Sequence, residues 1–218
     1  AVGPEIPEMK KAAELKIKQL SYPEALGLIT ENKDTIAVSG THGKSTTTAI
    51  LGLILIEAKL DPTIIVGSKV GPFKYDNLQI GKSDYFVVEA CEWRAHMLNL
   101  KPKIVILTNL EKDHLDYYKN FKNIKKTFDE YVSRLPKDGL LVLNADDRNC
   151  LEIGKSAKCK KITYGIKNKT ASCRADNAVV KNQIQQFNLF WHKKDLGRFF
   201  LKIPGQFNIY NALAAVSC

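Results

Sequence analysis

Residues Gly40-Thr41-His42-Gly43-Lys44-Ser45-Thr46 carry, in the right order, the groups that hold a polyphosphate. Glycines permit a tight turn that exposes backbone N–H groups, a lysine reaches the outer phosphates, and the adjacent hydroxyl ligates Mg²⁺. Such a loop works only between a strand and a helix, whose N-terminal dipole adds to the attraction for anions. Residues 35–39 read as a buried strand and residues 46–59 as a helix, so the loop has that setting. The general pattern asks for a glycine five residues before the Gly-Lys pair, and Val38 stands there instead. A plain glycine turn with an exposed lysine is the competing reading, and it leaves the flanking strand and helix unexplained.

Two more positions could serve a bound nucleotide. Glu89 closes an apolar run over residues 84–89, and a carboxylate at such a strand end, beside a phosphate loop, is placed to hold Mg²⁺. A structural ion pair is its ordinary alternative. His114 follows the run over residues 103–108 and lies between Asp113 and Asp116. On residue types alone, a solvated loop histidine is the better reading there. His96 and His192 fit no pattern, and no His/Cys cluster has zinc spacing.

These groups need a scaffold, and the hydrophobic pattern supplies one. Strand-like runs at residues 35–39, 62–66, 84–89, 103–108, 139–144 and 161–164 are separated by helical stretches, including residues 46–59 and 120–135. Apolar runs without alternation mark strands buried on both faces, which predicts an α/β fold with a mostly parallel, doubly wound P-loop sheet. From residue 172 to 204 polar and apolar residues alternate, as in Gln186-Phe187-Asn188-Leu189-Phe190-Trp191, which predicts a small antiparallel β extension. The first 33 residues read differently: Pro4 and Pro7 suggest an extended start, residues 12–20 have helical spacing, and Ser21 with Pro23 marks a second helix start. An alanine-rich run over residues 208–218 reads as a final helix. The chain opens without methionine and stops within that run, which reads as a segment of a longer protein.

Composition narrows the partners. The chain of 218 residues is 44% hydrophobic and 26% charged, which is globular rather than disordered. Its longest apolar run, residues 49–56, is too short for a membrane span, and no basic-then-apolar leader opens it; a cytoplasmic protein is the expectation. Five cysteines, odd in number and without a C-x-x-C pair, fit reduced thiols. The net charge of +10 suits an anionic partner, but the lysines are dispersed and not interleaved with aromatic residues. That favours a small phosphorylated ligand over nucleic acid.

The loop spelling Gly-Thr-His-Gly-Lys-Ser-Thr-Thr-Thr resembles the ATP-binding loop of the Mur ligases, enzymes that build the peptide stem of peptidoglycan. Three further segments follow in that family's order. Val87-Val88-Glu89-Ala90-Cys91-Glu92 is similar to its strand-end glutamate motif, and Asn109-Leu110-Glu111-Lys112-Asp113-His114 to its Asn-x-Glu-x-Asp-His motif. Gly205-Gln206-Phe207-Asn208-Ile209-Tyr210-Asn211 is similar to the helix motif that closes its central domain. The resemblance implies ATP and Mg²⁺ as cofactors. Lys44, Glu89 and His114 would be catalytic, with Ser45, Glu89 and His114 as metal ligands. The nucleotide would rest on residues 40–46 with Asn109, Asn208 and Asn211; a helix-capping or packing amide is the alternative for Asn211.

It further implies that residues 34–218 form the central ATPase domain and residues 1–33 the tail of an N-terminal UDP-sugar domain plus linker. The C-terminal amino-acid-binding domain would lie outside this chain. Sister enzymes place a carbamylated lysine in the helix after the histidine motif, and alignment puts Phe128 there, close to Lys125 and Lys126. Lack of that lysine, His42 in the loop and Pro4-Glu5-Ile6-Pro7 match the branch that joins L-alanine to UDP-N-acetylmuramate through an acyl phosphate. That branch commonly reads Glu-Ala-Asp-Glu-Ser-Asp where this chain has Glu89-Ala90-Cys91-Glu92-Trp93-Arg94. Attachment of a tripeptide to the same UDP-sugar, or a folylpolyglutamate synthetase-like ligation, are the alternatives. A nucleotide-hydrolysing switch or a basic nucleic-acid-binding module would not need the glutamate and histidine motifs.

Overall fold

The computed structural model describes residue 3 and residues 5–218. The chain runs α1 (Pro7–Glu14), α2 (Tyr22–Thr30), β1 (Asp34–Ser39), α3 (Lys44–Glu57), β2 (Thr63–Ile65), β3 (Leu78–Gln79) and β4 (Tyr85–Glu89). A 3₁₀ segment (Trp93–Asn99) leads to β5 (Ile104–Leu107), α4 (Leu115–Tyr118), α5 (Phe121–Ser133), β6 (Leu140–Asn144), α6 (Arg148–Ile153) and β7 (Lys160–Gly165). Three strands follow, β8 (Cys173–Lys181), β9 (Ile184–Trp191) and β10 (Lys194–Leu201), and then α7 (Gln206–Val216). All strands join one sheet in the order β10-β9-β8-β7-β6-β5-β1-β4-β2-β3. From β2 through β4, β1, β5, β6 and β7 to β8 neighbours are parallel; β3, β9 and β10 pair antiparallel. The expected doubly wound sheet with an antiparallel extension is present, and β8 joins the extension to the parallel strands.

Alternation within each strand builds two cores. Ala37, Phe86, Val88, Val105, Leu107, Leu141 and Leu143 face a layer that contains α5, while Ile36, Val38, Val87, Ile106 and Val142 face the layer of α3 and α7. Apolar residues at every strand position are the consequence of burial on both sides. The chain passes from β1 through α3 to β2 on one side, and from β5 through α5 to β6 on the other. Right-handed crossovers in opposite directions put the two helices on opposite faces. The crevice between the carboxyl ends of β1 and β5 is therefore open, as at the switch point of doubly wound folds.

Several expectations need correction. The first helix covers residues 7–14 rather than 12–20, and Pro7 takes its first position instead of an extended one. It ends early because Lys16 adopts φ +53°, with its N–H on Ala13 O and that of Ile17 on Ala12 O; this left-handed closure stops the helix. Pro4 lies outside the described residues. The helix after the loop starts at Lys44, two residues early, because Gly43 already makes the turn. The short elements β3, α4, α6 and the 3₁₀ segment have no signal in the hydrophobic pattern. At Ser21 the expectation holds: Glu24 Oε2 accepts from the Ser21 N–H (2.7 Å) and hydroxyl (2.6 Å). All five cysteines are free.

Phe128 is fully buried in the layer between α5 and the sheet. Phe128→Ala should cost about 3–5 kcal/mol, as large-to-small changes of aromatic core residues do. Urea unfolding measures it, and a cost below about 1 kcal/mol would contradict the packing.

Candidate nucleotide site

The loop between β1 and α3 turns through two glycines that no other residue could replace. Gly43 has φ +83°, and a Cβ there would lie 2.3 Å from Asn211 Oδ1. Gly40 has φ +129°, and a Cβ there would lie 2.2 Å from Thr108 Oγ1. Both the backbone region and the close approach exclude a side chain. The residues after β5 then clamp the loop. Asn109 accepts the His42 N–H through Oδ1 (2.8 Å) and donates Nδ2 to His42 O (2.9 Å), while Thr41 N–H reaches Asn109 O (3.0 Å). Thr108 Oγ1 donates to His42 O (2.7 Å), and Thr41 Oγ1 accepts the Glu111 N–H (2.9 Å). The His42 ring stays exposed, with Nε2 3.8 Å from Glu111 Oε2.

Lys44 and Ser45 open α3 and find carboxylate partners from β4 and the segment after it. Ser45 Oγ donates to Glu89 Oε2 (3.1 Å), and the other oxygen of Glu89 accepts the Gly67 N–H. Lys44 Nζ donates to Gly40 O (2.6 Å), Thr41 O (3.0 Å) and Glu92 Oε1 (3.1 Å). Glu92, only 4% exposed, is also in ionic contact through Oε2 (3.0 Å). His114 Nε2 lies 3.7 Å from Glu92 Oε1, and Nδ1 lies 3.8 Å from Asp113 Oδ1. Glu92, Asp113 and His114 offer ligand atoms within 4.8 Å of one another, a donor set that suits a divalent cation. His114 has φ +49° at the start of α4, a strained backbone that the surrounding fold must hold in place. The expected metal ligands thus fall in two neighbouring groups, Ser45 with Glu89 and His114 with Glu92. Glu92 has no place in the sequence-based set, although its spacing three residues after a strand-end glutamate was a usable signal. Thr46 is half-buried in the first turn of α3. On α5, Lys125 Nζ donates to Glu152 (2.6 Å), Lys126 is exposed and Phe128 faces the core.

A cavity of about 330 Å³ opens beside the loop, lined among others by His42, Gly43, Asn109, Phe207, Tyr210 and Asn211. The α7 amides are tied together under it: Asn211 Nδ2 donates to Asn208 Oδ1 (3.0 Å) and Asn208 Nδ2 to Pro204 O (2.6 Å). The Phe207 ring is 67% exposed, an aromatic face open to a planar ligand. A larger cavity, about 630 Å³, lies at the opposite end of the sheet near Lys103 and Pro136, away from these groups.

Asp146, just beyond β6, braces one wall. Its carboxylate accepts the N–H groups of Ile166 (2.7 Å), Lys167 (2.8 Å) and Asn168 (2.7 Å) and the Tyr210 hydroxyl (2.8 Å). Burial pushes its pKa up, but these four donors outweigh burial and hold it below the usual 3.8. Burial, and after it the contact with Asp146, raises the pKa of Tyr210, whose hydroxyl stays protonated. A group with a depressed folded-state pKa contributes stability above its unfolded value and loses it as pH falls through the folded one. Asp146→Asn should therefore cost about 2–3 kcal/mol near pH 7, since an amide nitrogen cannot accept those N–H bonds. It should also flatten the loss of stability below pH 4. Urea midpoints across pH 2.5–7 decide it; equal slopes for both proteins would contradict the bracing role.

The chain matches the Mur ligase middle domain model over residues 38–218. It is 42% identical to the UDP-N-acetylmuramate–L-alanine ligase of Clostridium novyi (strain NT), over 97% of this chain and 46% of that protein. The chain thus spans about half the length of the curated relatives it matches. Among solved structures, UDP-N-acetylmuramate-alanine ligase from Thermotoga maritima superposes with a TM-score of 0.79 at 25% identity, covering 99% of this chain and 48% of that one. UDP-N-acetylmuramate:L-alanyl-gamma-D-glutamyl-meso-diaminopimelate ligase from Neisseria meningitides superposes at 0.84, with 23% identity, 99% of this chain and 70% of that one. Among the described residues no helix is long and apolar enough to cross a membrane. A glycine loop clamped at a sheet switch point, with carboxylates and a histidine near its lysine, accords with that match, and the chain belongs to the Mur ligase middle-domain family.

Proposed function

We propose that this chain is the ATP- and Mg²⁺-binding part of a cytoplasmic ligase that forms the amide bond between L-alanine and UDP-N-acetylmuramate. The single observation that carries the nucleotide reading is the loop at Gly40–Thr46, seated between β1 and α3 with its lysine on Glu92 and its serine on Glu89. The similarity to alanine ligases favours the amino acid, and two features of α5 support the same branch: Phe128 is buried in the core and Lys125 is paired with Glu152. On this reading residues 34–218 are the central domain, and residues 1–33 connect to a domain that holds the UDP-sugar.

Each residue then has a task. The N–H groups of the loop and the start of α3 hold the phosphates, and Lys44 neutralises charge on the phosphoryl group as it moves to the substrate carboxylate. Ser45 and Glu89 fit one Mg²⁺, and His114 with Glu92 and Asp113 fits another cation. When bound, the metal would stabilise the charge that develops on the phosphoryl group. Asn109 keeps the loop closed on β5, while the cavity at Phe207, Tyr210 and Asn211 receives the base. Asn208 supports Asn211 from within α7.

Calorimetric titration of the chain with Mg·ATP should show binding, while UDP-N-acetylmuramate and L-alanine yield no alanyl product without the partner domains. Lys44→Ala in the intact enzyme should lower turnover about 10²-fold or more. Turnover within a few-fold of wild type would overturn the assignment of the loop.

A further inference from the structure

An ammonium group has three N–H donors, and those of Lys44 are all engaged by Gly40 O, Thr41 O and Glu92 Oε1. A lysine that is to donate to a phosphate must give one of them up. The two carbonyls belong to the loop itself, whereas Glu92 comes from the segment after β4 and carries a full charge. We propose that Glu92 is a positioning residue that latches Lys44 in the nucleotide-free protein, acting as the loop's own anion until a phosphate replaces it. The proposal rests on the nucleotide reading above and specifies how that site is held before ligand arrives.

The surroundings favour this exchange. The Glu92 side chain is 4% and that of Lys44 17% exposed, so the pair sits where charges interact strongly and neither is left alone without cost. The backbone that carries the carboxylate is held in place: the Tyr118 hydroxyl donates to Glu92 O, and Ser39 Oγ donates to Ala90 O at 2.8 Å just before it. Exchanging Glu92 for a phosphate trades one anion for another at the ammonium. Losing a carbonyl bond would instead strand a backbone acceptor of the loop. The vacated Glu92 keeps a neighbour, His114 Nε2 at 3.7 Å, in a group with the donors to hold a cation. Nucleotide therefore competes with Glu92 for Lys44. Its apparent affinity is lowered by the fraction of molecules in which the lysine is free.

Titration with ADP in EDTA, which keeps metal ions out, tests the latch in the 218-residue chain. Glu92→Gln removes the charge at nearly constant shape; Glu92→Asp keeps the charge but withdraws it by one methylene. Both variants should bind ADP about three- to tenfold more tightly than wild type, corresponding to a free-lysine fraction of about a third to a tenth. The gain from Glu92→Gln should vanish in a Lys44→Ala background. Folded variants that bind ADP no more tightly overturn the latch. So does tightening by Gln but not Asp, or a gain that survives Lys44→Ala, since a general field effect then suffices. A wild-type chain that binds no ADP removes the nucleotide reading itself, a different outcome from binding without gain. Should the variants fail to fold, ¹⁵N-lysine spectra of the wild type decide: a protected Lys44 ammonium signal that shifts on adding ADP supports the exchange, and an unchanged one overturns it.

Discussion

The left-handed turn at Gly43 is the constraint from which the rest of the site follows. Its φ of +83° aims the loop into the start of α3, and the space a side chain would need is taken by Asn211 Oδ1. The phosphate loop therefore packs directly on α7, the last helix of the chain. That contact requires the α3–α7 layer to be assembled, with Ile209, Leu213 and Ala214 in the same core as Ile36 and Leu51. Gly40 makes the same demand on the other side, where Thr108 occupies the space. A loop only four residues long between strand and helix thus records the packing of segments separated by more than a hundred positions.

Electrostatics adds a second layer to this geometry. The loop leads into the N-terminus of α3, the positive end of that helix's dipole and an end that favours anions. β4 with the segment after it places two carboxylates beside that end. Glu89 takes the Ser45 hydroxyl, and Glu92 takes the Lys44 ammonium. Asp146 does comparable work on the far wall, where four donors converge on one carboxylate and tie the turn after β7 to α7. The overall charge of +10 is spread over the surface and plays no comparable part.

The backbone of the segment after Glu89 is unusual. Arg94 and Ala95 both have positive φ (+49° and +57°), and the Arg94 guanidinium lies over the Trp93 ring at 4.4 Å. Two consecutive left-handed residues without glycine are costly, and such strain persists only where neighbouring structure enforces it. Met97, fully buried just beyond, provides that anchor together with its N–H bond to Cys91 O. The turn returns the chain across β1 to β5 while leaving Glu92 pointed at Lys44.

Local chemistry in the sequence was enough to determine the glycine turn between β1 and α3, the alternation of strand and helix, the doubly wound sheet and the capped start of α2. Each depends on residues close in the chain: glycine geometry, runs of apolar side chains, a serine with a glutamate three positions on. The family followed from four motifs in order. What the sequence could not decide was which side chains meet. Asn109 braces His42, Asp146 reaches Tyr210, and Glu92 answers Lys44, all across at least 48 residues. The first and last of those pairings come from strand order, which inserts β1 between β4 and β5 and so brings three loop ends to one crevice, while the second comes from the packing of α7 beside the end of β6. The early stop of α1 escaped for a related reason, because a left-handed lysine at position 16 has no signature in residue type. Spacing along a chain specifies which groups are available; only the sheet's register and the packing of both helical layers specify the distances between them.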